Sequence, residues 1–285
     1  MSRVLITGCS RGIGYDTALL LARSGHEVLA TLRNPTACDL AKIAAEEKLR
    51  LEVLALDVDD DASVAAVFDE HGDSIDALVN NAGIFSIDAV EDEGIERYQR
   101  VMQTNFFGAV RCTKRVLPAM RKRGSGCIVN VTSIAGRVAF FAQSAYAASK
   151  FALEAFSEAL AQEVAGHGIR VALVEPGIID TAMATTLLPQ YAANTIYPHG
   201  RRVQAFFRNP AKPEAPVDLV SRKIREVIEG DGSRLRFLVG PDSLPLLGWR
   251  LSNSDEEWIR IGSLERNADF NARVLSDMGV DLGLA

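Results

Sequence analysis

The feature that most restricts the fold is an alternation of short, nearly all-apolar runs with longer helical stretches. Arg3–Thr7, Glu27–Leu32, Leu51–Leu56, Ile75–Val79, Gly126–Val131, Arg170–Val174 and Leu235–Val239 read as strands. A strand that is apolar at nearly every position has no face to give to water, so it belongs in a sheet covered on both sides. Between the strands lie helical stretches at 12–24, Cys38–Lys48, Ala62–His71, Gly94–Met102, Asn105–Met120, Ser144–Val164 and Val217–Glu229. Parallel strands need crossovers of this kind. The expected architecture is α/β: a Rossmann-type, doubly wound parallel sheet of about seven strands, helices on both faces, in one domain.

The first strand runs into Gly8-Cys9-Ser10-Arg11-Gly12-Ile13-Gly14 and then a helix. Glycines let a backbone turn tightly and approach a phosphate closely, and the helix N-terminus favours an anion. The spacing is Gly-x-x-x-Gly-x-Gly, not G-x-G-x-x-G. In dinucleotide folds an acid at the end of the second strand grips the ribose 2′-OH. Here that place holds Thr31-Leu32-Arg33. Arg33, together with Arg11, is suited instead to a 2′-phosphate, which predicts NADP(H) in preference to NAD(H). Ligands of such sheets bind beyond the carboxyl ends of the strands, where Gly8, Asn80, Ser133 and Pro176 fall.

Tyr146 and Lys150 are four apart at the start of the alanine-rich helix, so they share one face. A phenol titrates near ~10. A cation at about 4 Å, at an effective dielectric of ~20, favours the phenolate by ~4 kcal/mol. That is about three pKa units, enough to bring a tyrosine towards neutral pH.

Net charge is −6 with pI about 5.4, so no broad basic field invites nucleic acid or anionic lipid. Cys9, Cys38, Cys112 and Cys127 have no metal spacing, and the four histidines are scattered. No metal site is expected. The N-terminus lacks the shape of a signal peptide and no run of 18 apolar residues occurs, so a cytoplasmic location is expected. The basic run Arg121-Lys122-Arg123 before Gly124 fits a helix C-terminus without any ligand. Ala182–Pro216 is rich in proline and aromatics and too long for an ordinary connection, which predicts a substrate lid. The body is expected to span 1–240. The tail 241–285 reads as one or two short helices packed on the body or on a second subunit.

Taken together, Thr7-Gly8-x-x-x-Gly12-x-Gly14, Asn80-Asn81-Ala82-Gly83, Asn105, Ser133, Tyr146-x-x-x-Lys150 and Pro176-Gly177-x-x-x-Thr181 resemble the short-chain dehydrogenase/reductase family, in its classical branch. The likeness covers about residues 2–182. Ala30-Thr31-Leu32-Arg33 and the long C-terminal part look like NADP-preferring members that act on lipophilic carbonyls. The resemblance implies that Tyr146 is the acid/base, that Lys150 lowers its pKa and holds the nicotinamide ribose, and that Ser133 orients the substrate oxygen. It implies that Asn105 sits in a main-chain bend supporting a water that leads to Lys150. Gly8, Ser10, Arg11, Gly12, Ile13 and Gly14 would line the pyrophosphate and adenosine side, Asp57 and Val58 the adenine. Asn81, Ala82 and Gly83 would form the cofactor floor, with Pro176, Gly177, Ile179 and Thr181 around the carboxamide. Phe140, Phe141, Met183, Leu187 and Tyr197 are expected to make an apolar substrate pocket beside Ser133 and Tyr146.

The function expected is NADP(H)-dependent interconversion of a ketone or aldehyde with an alcohol, in a homodimer or homotetramer. Two other classes compete: a nucleotide-sensing binding protein on the same fold, and a non-redox lyase or epimerase. Sensing proteins usually lose the tyrosine or the lysine, and this chain keeps both.

Overall fold

A computed structural model describes residues 1–181, 195–209 and 215–285. Its centre is a parallel sheet of β1 (Arg3–Thr7), β2 (Glu27–Leu32), β3 (Leu51–Ala55), β4 (Ala77–Asn80), β5 (Gly126–Val131), β6 (Ile169–Pro176) and β7 (Arg236–Val239). The spatial order is β3-β2-β1-β4-β5-β6-β7. The order reverses between β1 and β4, so the helices leaving these two strands diverge and open a crevice at their carboxyl ends.

Alternation along each strand splits the core. Val4 and Ile6 of β1 pack with α1 (Gly12–Arg23), α2 (Leu40–Glu47) and α8 (Asp218–Glu229). Leu5 points the other way, towards α3 (Asp61–His71), α5 (Gly108–Arg123) and α6 (Ser144–Val164). This is the doubly wound sheet expected from the apolar runs. Gly124 closes α5 in the left-handed conformation at φ +70°, directly after the basic run Arg121-Lys122-Arg123.

Two stretches differ from the sequence expectation. The helix expected to begin at Asn105 is continuous with α4 (Ile95–Met102) through a π-helical turn at Gln103–Phe107. The tail holds three helices instead of one or two: α9 (Ser243–Leu251), α10 (Asp255–Gly262) and α11 (Asn267–Met278). They pack on the body through Leu246, Trp249, Ile261 and Phe270, against Ile134 and Val138 of the loop after β5. α7 (His199–Arg208) joins the same cluster through Phe206. Among the described residues, no helix is long and apolar enough to cross a membrane.

Candidate active site

The chain leaves β1 through Gly8 at φ +76° and Gly12 at φ +64°. A methyl group on Gly8 would lie 2.7 Å from the Ala82 Cα, so the turn presses against the end of β4 only because it lacks a side chain. Asn81 clamps the contact, its amide donating to the carbonyls of Thr7 at 2.8 Å and Gly8 at 3.2 Å. Gly14 stands behind the turn, where a Cβ would strike the Asn81 amide, and does not line the cleft. The first turn of α1 has no side-chain cap and no acid, an arrangement that suits an anion.

At the end of β2, Thr31 is fully buried and its hydroxyl donates to the Ile6 carbonyl at 3.0 Å. It therefore presents nothing to a ribose. Arg33 and Arg11 are exposed, line the cleft and make no hydrogen bond or ion pair among the described residues. The turn, the open helix terminus and the two guanidiniums fit a dinucleotide phosphate chain.

The π turn has an identifiable cause. Asn105 is 1% exposed; its Oδ1 accepts from the Ile84 amide at 2.8 Å and its Nδ2 donates to the Ile84 carbonyl at 2.9 Å. The same Nδ2 donates to Ser149 Oγ at 2.9 Å, and Ser149 donates to the Tyr146 carbonyl at 2.7 Å. A widened turn aims Asn105 between the chain after β4 and α6, a use typical of π turns at functional sites. Asn105 thus stands behind the cleft wall, locking two walls together.

Ser133, at the end of β5, accepts from the Ala135 amide at 3.1 Å and starts a short 3₁₀ turn. Its hydroxyl points to the Pro176 carbonyl at 3.4 Å and lies near enough to the Tyr146 phenol to pull its pKa down. Tyr146 is half-buried, open to the cleft and edge-on to Phe85 with centroids 4.6 Å apart. Lys150 is 4% exposed and donates to the Val131 carbonyl at 2.9 Å, its Nζ lying 5.7 Å from the Tyr146 ring centroid.

Burial dominates the protonation of both groups. Burial pushes the Tyr146 phenol up to about 12, and the Ser133 hydroxyl, not Lys150, is what opposes the rise. Burial also draws the Lys150 ammonium down to about 8, opposed by the charge of Glu154.

The cleft encloses about 340 Å³ and runs from the glycine turn to the C-terminal helices. Gly8, Ser10, Arg11, Gly12, Ile13, Arg33, Asp57, Val58, Asn81, Ala82 and Gly83 line its first part. Ser133, Tyr146, Lys150, Pro176, Gly177, Ile179 and Thr181 line the middle, and Phe140 the far wall. Two expected pocket residues do not line it. Phe141 stacks on His199, with centroids 4.7 Å apart, and Tyr197 donates to Glu91 at 2.6 Å. Met183 and Leu187 lie outside the described residues. The far wall holds residues not singled out for it from sequence: Phe85, Val138, Val203, Phe206, Phe207 and Leu246. Val203, Phe206 and Phe207 fall at i, i+3 and i+4, a helical signal present in the sequence. Leu246 had no such mark. Among the described residues no group of three His, Cys, Asp or Glu side chains could hold a metal ion.

The family model of short chain dehydrogenases matches residues 2–192. Retinol dehydrogenase 8 of Bos taurus is 43% identical over 193 residues, which is 66% of this chain and 62% of that protein. The match therefore spans less than two thirds of that relative. A short-chain dehydrogenase from Streptomyces avermitilis has a crystal structure with TM-score 0.79 and 30% identity, covering 91% of this chain and 96% of that one. A gluconate 5-dehydrogenase from Burkholderia cenocepacia, solved with NADP and tartrate, has TM-score 0.74 and 25% identity, covering 85% of this chain and 95% of its own. A glycine turn open to an anion and a Ser–Tyr–Lys cluster facing one cleft thus coincide with a match over most of the chain: the protein belongs to the short-chain dehydrogenase family.

Proposed function

We propose that the chain interconverts a lipophilic ketone or aldehyde with its alcohol and prefers NADP(H) to NAD(H). One observation carries the reading: a single cleft joins two arginines unpaired among the described residues, Arg11 of the glycine turn and Arg33 after β2, to the Ser133–Tyr146–Lys150 cluster and an apolar far wall. Arg11 and Arg33 would pair a 2′-phosphate where a carboxylate would repel it. The gluconate 5-dehydrogenase solved with NADP supports the cofactor choice, and the relative named for retinol supports the lipophilic substrate.

The bound nicotinamide supplies or accepts the hydride. The chain's part is to bind, orient and move a proton. A phenol held up to about 12 is protonated at neutral pH, so Tyr146 is poised to give its proton to a carbonyl oxygen, the reductive direction. Ser133 donates to the same oxygen as negative charge builds there. Lys150 places a cation beside the ring, and Phe140, Phe206 and Leu246 exclude water from the carbon side.

The test follows nicotinamide absorbance with NADPH and a panel of ketones and aldehydes, beside Tyr146→Phe. Reduction of apolar carbonyls is expected, with a loss of 10²-fold or more in kcat for the variant, the usual worth of a positioned acid (about 10²–10⁴). Full turnover by Tyr146→Phe would defeat the proposal.

A further inference from the structure

Behind Lys150, away from the cleft, lies a buried group of charges that the proposed reaction leaves unused. Glu154 is one helical turn beyond Lys150 on α6 and 4% exposed. Its Cγ packs where a Gly136 side chain would sit, 3.0 Å from that site. Glu175, at the end of β6, is fully buried. Both carboxyls reach Arg236 Nε of β7: Glu154 Oε2 at 2.9 Å and Glu175 Oε1 at 3.7 Å. Arg137, just past the Ser133 turn, holds Glu175 Oε1 at 3.1 Å. Arg236 also reaches the exposed Glu158 at 2.5 Å. One buried oxygen on each carboxyl, Glu154 Oε1 and Glu175 Oε2, has no hydrogen-bond partner.

Two buried carboxyls that share Arg236, with Arg137 reaching Glu175 alone and one orphaned oxygen on each, are costly as two anions. Holding a proton on one relieves the repulsion, and Glu175 is the better holder. Burial first, then the charge of Glu154, push its carboxyl up to about 7. Glu154 keeps the closer ion pair with Arg236 and is the acid one turn from Lys150. The charged or titratable groups around Lys150 are Tyr146, Glu154 and Glu158 on α6, Arg137 after β5, Glu175 on β6 and Arg236 on β7. Asn105 and the Val131 carbonyl are neutral.

We propose that Glu154 is a positioning residue for the reaction: its carboxylate, with Glu175 as the protonated partner, keeps the buried Lys150 in the ammonium form beside Tyr146. The inference rests on the oxidoreductase reading only for its consequence in turnover. The charge relation itself stands apart, so the two fail in different experiments.

The first measurement needs no substrate. The pH dependence of reductive methylation at Lys150, read by mass spectrometry, follows the neutral amine. In Glu154→Gln its midpoint is expected to fall by about one to two pH units, on the order of the loss of one charge from the adjacent helical turn at an effective dielectric of ~20. Glu154→Asp should restore most of the shift, and Glu158→Gln should leave the midpoint unmoved. The second measurement is kcat/KM against pH, where the limb assigned to Lys150 should move with the methylation midpoint. A Glu154→Gln midpoint equal to the wild type would overturn the proposal, as would an equal shift in Glu158→Gln. If Glu154→Gln does not fold, a Glu175→Gln midpoint that falls by about one to two pH units would overturn it instead, because a protonated Glu175 has no charge to lose. A methylation shift without any carbonyl turnover would leave this inference standing and sink the proposed activity.

Discussion

At 4% exposure the Lys150 ammonium has given up nearly all of its water for one bond to Val131 and the nearby charge of Glu154. The fold bears that cost as a dependence on pH. Lys150 titrates near 8 in the fold against 10.5 in the open chain. Below about 8 both states hold the proton, and the burial penalty is present in full. Between about 8 and 10.5 the fold sheds its proton while the open chain keeps it, so the penalty is relieved as pH rises. Lys150→Met, which removes the charge at similar length, is therefore expected to be more stable than the wild type by about 2 kcal/mol at pH 7 and inactive. The advantage should shrink towards pH 10. Urea unfolding at the two pH values checks this, and an equal gap at both would mean that packing, not charge burial, sets the difference. The pairing of Tyr146 with Lys150 was legible from their spacing. The direction of the ammonium was not, because it depends on the Val131 carbonyl, which a sheet register brings to α6.

At the scale of elements, strand ends were the most legible part. An apolar run followed by a polar or glycine residue marks where a parallel strand delivers its chain to the crevice: Gly8, Ser133 and Pro176 reach it, whereas Asn80 turns into the core onto Thr113 and Asn130. α6 matched its expected bounds because its alanine-rich run is unbroken from Ser144 to Val164. The π turn was illegible, since Gln103–Phe107 reads as ordinary helix and its widening answers to the distant Ile84 backbone. β2 carries the next prediction. Its end offers Arg33, and the nearest polar side chain before it, Thr31, is turned inward onto Ile6. Arg33→Ala should weaken NADPH by about 1.5–3 kcal/mol, the worth of a hydrogen bond to a charged group, which is roughly 10- to 150-fold in Kd. NADH should change little. Fluorescence titration with both cofactors decides it, and equal losses would mean that Arg33 does not read the 2′ position.

The whole molecule is tied together by its last 45 or so residues in a way that the sequence pattern of short amphipathic helices did not disclose. Arg202 of α7 is fully buried and donates to Asn267 Oδ1 at 3.0 Å and to the Gly262 carbonyl at 3.1 Å, with its guanidinium 4.8 Å from the Phe270 ring centroid. Asp242, at the start of α9, accepts from the Ile178 amide at 2.8 Å and occupies the space that a side chain on Gly177 would need. One end of the tail thus fixes the loop after β6 at the middle of the cleft, and its body closes the far wall with Leu246. If the tail shapes specificity, Leu246→Ala should act on the substrate end alone. Leu246 is 4% exposed, so truncation costs stability by about 2–5 kcal/mol. In the folded fraction it should raise KM for long apolar aldehydes several-fold and leave short ones, and the Kd of NADPH, nearly unchanged. Kinetics on an aldehyde series of increasing chain length makes the comparison within one protein. A uniform change across the series would assign Leu246 to the core and leave the shape of the substrate end to α7, whose Val203, Phe206 and Phe207 line the same wall.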